Sequence, residues 1–304
     1  MNLAYYPGCT LKTKARNLEE PALAAMESLG FKLEEMDRWN CCGAVYSLAE
    51  DDLIRQAAPV RNLVRAKKQG KDELVTLCAF CLNTLKRANL LMKQEVEKRN
   101  TLNSFLDEGV DYAGEVKVTH LLEVLRDRVG WGLLSQKVRL HLRGLKLAPY
   151  YGCTLLRPRE VAIDNVQDPI ILHSFLEALG ANPVGFPEST TCCGSYQIVR
   201  GPSTIVEYAR RILRSASNSE AEGLVLTCPL CDYNLGQGQK ELLRLGNTFK
   251  EMPLFYFTQL LALALGLTAD VCHFELNYGN PESLLREKGL LSRVESLSTS
   301  GGPK

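Results

Sequence analysis

Ten of the eleven cysteines form one pattern written twice. Cys9 is followed by the pair Cys41-Cys42 with Gly43, then by Cys78 and Cys81 as a C-x-x-C. Cys153 is followed by Cys192-Cys193 with Gly194, then by Cys228 and Cys231. Equivalent cysteines lie 144, 151, 151, 150 and 150 residues apart. A free thiol, with a pKa of about 8.5, is mostly protonated at neutral pH, and a metal fixes it as the thiolate. C-x-x-C alone serves zinc sites, iron–sulfur clusters and redox-active disulfides. Adjacent cysteines say more. In extended backbone their side chains diverge, but a turn aims both at one polynuclear centre, and Gly43 and Gly194 relieve crowding and permit positive φ there. Zinc closes at four ligands, and an ordinary cubane cluster also takes four cysteines. Five per copy leave one over in either case, whereas a centre with more sites, or with a bridging thiolate, uses all five.

These thiols need a scaffold, and the repeat extends to it. Leu3-Ala-Tyr-Tyr-Pro-Gly-Cys9-Thr-Leu is echoed by Leu147-Ala-Pro-Tyr-Tyr-Gly-Cys153-Thr-Leu. Each reads as a strand ending in a turn. Helical spacing follows, with Leu18, Leu23, Met26 and Leu29 before Gly30, and Ile171, Phe175, Leu176 and Leu179 before Gly180. A short extended segment leads to each Cys-Cys-Gly, and a second helix follows through Leu53, Ala57, Val60 and Val64, or Ile205, Ala209, Ile212 and Leu213. Apolar strands at 73–77 and 223–227 deliver the C-x-x-C, a helix comes next, and strand–helix units at 116–125 and 254–265 close each copy. Alternating strands and helices predict an α/β fold of two pseudo-symmetric repeats, each a small parallel sheet flanked by helices. Ligands of such sheets sit beyond the carboxyl ends of the strands, so the cluster sites are expected at that loop edge.

The 304 residues are enough for two cores. The expected boundary falls within 130–146, giving a first domain at 1–145, a second at 146–297 and a frayed tail at 298–304. With 36 basic and 35 acidic residues the chain has no global attraction to nucleic acid or anionic membrane. The N-terminus lacks the charge pattern of a secretory leader. The longest apolar stretch, 254–267, is too short to span a membrane. The expected location is the cytoplasm, where clustered cysteines are more often ligands than disulfides.

The cysteine pattern, with Tyr5-Tyr-Pro-Gly-Cys9, Tyr150-Tyr-Gly-Cys153, Arg157-Pro158, Cys228-Pro-Leu-Cys231 and Tyr256-Phe-Thr-Gln-Leu-Leu261, resembles the CCG cysteine-rich domain proteins. Across nearly the whole chain it is similar to the B-type component of heterodisulfide reductase (the HdrB family). The resemblance implies two noncubane [4Fe-4S] clusters. Cys9, Cys41, Cys42, Cys78 and Cys81 would hold one, and Cys153, Cys192, Cys193, Cys228 and Cys231 the other. It implies cleavage or formation of a small-molecule or carrier-bound disulfide between them, with electrons arriving through a ferredoxin-like C-type subunit fed by a flavin-containing A-type subunit. The alternatives are zinc or a conventional [4Fe-4S] cluster in one half, and an electron-transfer or assembly role in a dehydrogenase complex.

Other residues carry weaker signals. Cys272, beside His273, has no counterpart in the first half and reads as an ordinary thiol. His120 precedes a helix and aligns with about Gln259; polar residues at both places would either touch the cluster region or simply start helices. His141 belongs to the acid-free run Lys137, Arg139, His141, Arg143 and Lys146, a solvated linker face or a docking surface for an acidic partner. Arg157 and Arg159 would draw an anionic disulfide towards the second site, or form a plain surface pair.

Overall fold

The computed structural model describes residues 1–44, 53–246 and 250–291, and the tail at 298–304 lies outside the described residues. The first half runs β1 (Asn2–Tyr5), α1 (Arg16–Ser28), β2 (Lys32–Glu35), α2 (Ile54–Lys68), β3 (Glu73–Thr76), α3 (Ala79–Gln94), α4 (Val96–Leu106), β4 (Lys117–His120) and α5 (Leu121–Val124). A π-turn at Leu125–Val129 continues α5 towards α6 (Trp131–Lys137). The second half repeats the plan with β5 (Lys146–Pro149), α7 (Ile171–Ala178), β6 (Asn182–Pro183), α8 (Val206–Asn218), β7 (Gly223–Leu226), α9 (Pro229–Arg244), β8 (Leu254–Tyr256), α10 (Phe257–Ala264) and α11 (Pro281–Glu287).

The strands form two four-stranded parallel sheets of identical order, β2-β1-β3-β4 and β6-β5-β7-β8. Helix-covered parallel strands are buried on both faces. Accordingly β7, Gly-Leu-Val-Leu, is buried throughout, and in β3 only Glu73 is not. The expected strand–helix unit at the apolar stretch is β8 and α10, both wholly buried. No helix among the described residues is long and apolar enough to cross a membrane.

The two halves interlock. Helix α1 of the first packs along α10 of the second, and the Thr258 hydroxyl donates to the Leu18 carbonyl at 2.8 Å. In the pseudo-symmetric place α7 contacts α5, and Phe257 of α10 meets both Phe175 of α7 and His120. Buried residues of both halves therefore form one apolar cluster. The basic run is laid over this core. Lys137, Arg139, His141, Arg143 and Lys146 are exposed, Leu142 and Leu145 are buried, and the amides of Arg139 and Leu142 bond to the carbonyls of Ala264 and Leu179.

Candidate metal centre

Each cysteine of the two quintets stands beyond the carboxyl end of a strand. Cys9 follows β1, Cys41-Cys42 follows β2, and Cys78 follows β3. Cys153, Cys192-Cys193 and Cys228 follow β5, β6 and β7. In the order β2-β1-β3-β4 the strand order switches between β1 and β3, the place where parallel sheets of this kind take their ligands. Cys78 and Cys228 are the N-cap residues of α3 and α9, and Cys81 and Cys231 lie in the first turns. The partial positive charge of a helix start favours thiolate there.

The sulfurs form one continuous row. Cys9 Sγ is 3.5 Å from Cys41 Sγ. Cys41 lies close enough to Cys42, Cys42 to Cys81 and Cys81 to Cys78 for each to shift its neighbour's pKa. Cys78 and Cys228 reach one another across the pseudo-twofold. From there Cys228 acts on the pKa of Cys231, Cys231 on that of Cys193 and Cys193 on that of Cys192, whose Sγ is 3.8 Å from Cys153 Sγ. Both adjacent pairs thus point at their companions, and the two sets meet at their C-x-x-C ends. Among the described residues no three His, Cys, Asp or Glu side chains surround a single point suited to one metal ion. The two ends differ. Cys9 and Cys41 are exposed, whereas Cys153 and Cys192 are half-buried.

The row is electrostatically strained towards partial protonation. Cys9 and Cys153 are held protonated chiefly by bonding to Cys41 and Cys192, with burial adding to it. Cys81 and Cys231 are held up in the same way by Cys42 and Cys193. Two of the partners are pushed the other way, Cys42 lowered chiefly by Cys41 and Cys192 down to about 3 chiefly by Cys153, whereas Cys41 and Cys193 are themselves raised. Ionising all ten would place like charges side by side in a buried space, so complete deprotonation requires a bound cation. An all-sulfur donor set of this kind suits zinc or iron–sulfur centres.

Residues outside the motifs fix the loops. The Tyr6 hydroxyl donates to the Asn40 carbonyl at 2.8 Å, and Tyr150 donates to Thr191 at 2.6 Å. Each acceptor immediately precedes a Cys-Cys pair. Asn62 of α2 bonds Asn40 in both directions at 2.9 Å. Asn234 of α9 donates to the carbonyls of Cys193 and Ser195 and towards Cys193 Sγ at 3.5 Å. Gly8 has φ +75°, and a Cβ there would lie 2.8 Å from Cys81 Sγ. Across the halves, Asn83 donates to the carbonyls of Thr154 and Arg157, and the Tyr196 hydroxyl donates to Ala44 while its ring meets Phe80. Sequence reasoning assigned none of these a role. The tyrosines were visible in the repeat, but contacts between the halves leave no spacing signal.

His120 requires a correction. It starts α5 with Glu123 completing its cap, and Tyr256 starts α10 with Gln259 completing the cap. Its structural counterpart is therefore Tyr256, and Gln259 matches Glu123. His120 Nε2 lies 2.9 Å from the Leu77 carbonyl beside Cys78, and burial pushes its pKa down to about 3, so it is neutral. The Tyr256 hydroxyl lies beside Asp232, next to Cys231, and burial pushes the Asp232 carboxyl up to about 7. Arg157 donates to the Thr190 carbonyl at 3.1 Å and lies close enough to help hold Cys192 down, whereas Arg159 lines a separate pocket with Asp164 and Gln167. Cys272 is buried and bonds to the Gln259 carbonyl, apart from the sulfur row. His273 pairs with Glu20.

The cysteine-rich domain called CCG matches residues 3–86 and 147–236, each copy covering the first three strands of one sheet and its sulfur loops. The chain belongs to this family. It is 34% identical over 88% of its length to the 8-methylmenaquinol:fumarate reductase membrane anchor subunit of Wolinella succinogenes, covering 93% of that protein. It is 28% identical over 90% of its length to the B-type component of the ferredoxin/F(420)H(2)-dependent CoB-CoM heterodisulfide reductase of Methanosarcina acetivorans, covering 93%. A protein of Archaeoglobus profundus, named for its likeness to the same heterodisulfide reductase component, is 27% identical over 86% of this CCG chain and is covered to 90%. A crystal structure of a hypothetical protein from Helicobacter pylori has the same fold, with a TM-score of 0.73 over 92% of this chain at 14% identity. The chain spans about half, 52%, of that larger molecule.

Proposed function

We propose that this CCG protein is an iron–sulfur redox subunit whose two cysteine sets hold two noncubane [4Fe-4S] clusters, and that it cleaves or forms a disulfide between them within a cytoplasmic heterodisulfide reductase-like complex. One observation carries the reading: ten thiols in one unbroken row, symmetric about the meeting of Cys78 and Cys228. Cys9, Cys41, Cys42, Cys78 and Cys81 would ligate one cluster, and Cys153, Cys192, Cys193, Cys228 and Cys231 the other. Such clusters supply one-electron transfer, and their potentials respond to burial and to hydrogen bonds on sulfur.

The protein's own groups do the rest. Helix starts favour thiolate at Cys78, Cys81, Cys228 and Cys231. Tyr6 and Tyr150 hold each Cys-Cys loop, and burial keeps water from the inner sulfurs. Reducing a disulfide consumes two electrons and two protons and releases two thiols, a stoichiometry that two one-electron sites match. The electrons would come from a ferredoxin-like C-type subunit and a flavin-containing A-type subunit. The division into CCG units at 1–145 and 146–297 belongs to the same reading.

A second reading has its own support. The 34% identity to an anchor subunit of a quinol-oxidising fumarate reductase favours a relay or assembly role in a dehydrogenase complex. Anaerobic purification tests the cofactor: two four-iron centres give brown protein with about eight irons per chain. Colourless protein with stoichiometric zinc overturns the cofactor assignment. Disulfide reduction by reduced viologen, abolished in Cys42→Ala and in Cys193→Ala, separates catalysis from relay. Full activity in either variant defeats the paired-site mechanism.

A further inference from the structure

The two sulfur sets meet at Cys78 and Cys228, and the backbone around that meeting is wired unequally. Leu77 and Thr227 are equivalent under the 150-residue shift, as are Ala79 and Pro229. Each pair flanks a cysteine that caps a helix start, that of α3 or of α9. The Ala79 amide donates across the halves to the Thr227 carbonyl at 3.2 Å. The twofold-related bond, from residue 229 to the Leu77 carbonyl, cannot form, because proline has no N–H.

His120 supplies the missing donor. Its Nε2 lies 2.9 Å from the Leu77 carbonyl. Its Nδ1 accepts from the Leu122 amide at 3.2 Å, so the ring proton sits on Nε2 and points at that carbonyl. A buried carbonyl needs such a donor, and no backbone amide among the described residues is bonded to that of Leu77. The imidazole is fully buried, starts α5, and packs on Phe257 of the other half with ring centres 5.6 Å apart. Its place is therefore set by α5 and α10, not by the turn it holds. In the second half Tyr256 stands at the same helix start, but it lies beside Asp232 and leaves Thr227 to Ala79.

We propose that His120 is a positioning residue for the metal centres: it replaces the amide that Pro229 lacks, fixes the turn at Leu77-Cys78, and keeps Cys78 set against Cys228. Groups that hold a ligand's surroundings orient the ligand and strengthen its grip on metal. Without the donor the Leu77 carbonyl is free to turn and Cys78 turns with it, so the effect falls on the first set. The proposal rests on the reading of the ten cysteines as metal ligands, and not on which metal they hold or on disulfide chemistry.

The test is metal release to a chelator from the anaerobic, metal-loaded protein, timed and counted per chain. His120→Leu should free half of the metal about tenfold faster than the native protein and leave the other half at the native rate. His120→Gln, which keeps an N–H donor, should release metal like the native protein. So should His120→Leu combined with Pro229→Ala, because the alanine amide can make the bond that proline forbids. Unchanged release from His120→Leu, equal acceleration of both halves, or a double variant as impaired as His120→Leu, folded or not, overturns the proposal. Iron-free protein that holds zinc, with half of it made labile by His120→Leu and protected again by Pro229→Ala, supports the role of His120 and removes the iron–sulfur reading. Iron-loaded protein that releases both halves alike in His120→Leu removes the role of His120 and leaves the iron–sulfur reading standing.

Discussion

His273 Nε2 lies 2.6 Å from the Glu20 carboxylate, joining the last part of the described chain to α1 across 253 residues. Glu20 raises the His273 pKa above its ordinary value, with Glu275 adding and partial burial opposing. Arg16 and His273 lower that of Glu20. A raised histidine contributes fully below its unfolded pKa of about 6.5, and the contribution is lost as pH rises through the folded value. The depressed Glu20 sets the acid side, its share fading as pH falls through its folded value. His273→Gln should therefore cost about 0.5–1 kcal/mol near pH 6 and almost nothing near pH 9. Denaturation of both proteins across that range checks it, and a cost that grows with pH refutes the pairing.

Gly8 and Gly152 hold equivalent places with different tolerances. A Cβ at Gly8 would lie 2.8 Å from Cys81 Sγ, and one at Gly152 would lie 3.5 Å from Cys231 Sγ, with φ positive at both. Gly8→Ala should cost about 2–4 kcal/mol through overpacking and left-handed strain. Gly152→Ala should cost about 1–2 kcal/mol, from the strain alone. Denaturant midpoints and iron content give the order, and a more damaging Gly152→Ala contradicts it.

Asn234 touches a cysteine sulfur in the second half only, at 3.5 Å from Cys193. A hydrogen bond to a ligand sulfur stabilises the reduced centre. Asn234→Leu should shift the potential of one of two centres to more negative values and leave the other unchanged. An anaerobic titration followed by electron paramagnetic resonance reads both. Equal shifts of the two would show that Asn234 acts on overall stability.

Cys272 is buried, its pKa pushed up to about 12 by burial, and lies outside the sulfur row. Cys272→Ala should keep the full iron content and lose about 1 kcal/mol of stability, from a smaller buried side chain. Loss of iron would make it a ligand.

The ten thiols, the duplication and both parallel sheets were legible because cysteine register, apolar strands and glycine stops are local properties. The His120 match failed by three residues because alignment set one polar residue against another. Packing instead equates His120 with Tyr256, two different chemistries at the same helix start. Asn83, Tyr196 and the α1–α10 contact were not legible, since each depends on a partner in the other half.

The clasp of α1 against α10 ties the fate of each repeat to the other. A lone repeat would leave that apolar flank bare, and the matching flank of its own closing helix bare as well. Joined in one chain, the two repeats cover each other's flanks, and a single repeat would bury that flank only by pairing with a second copy of itself.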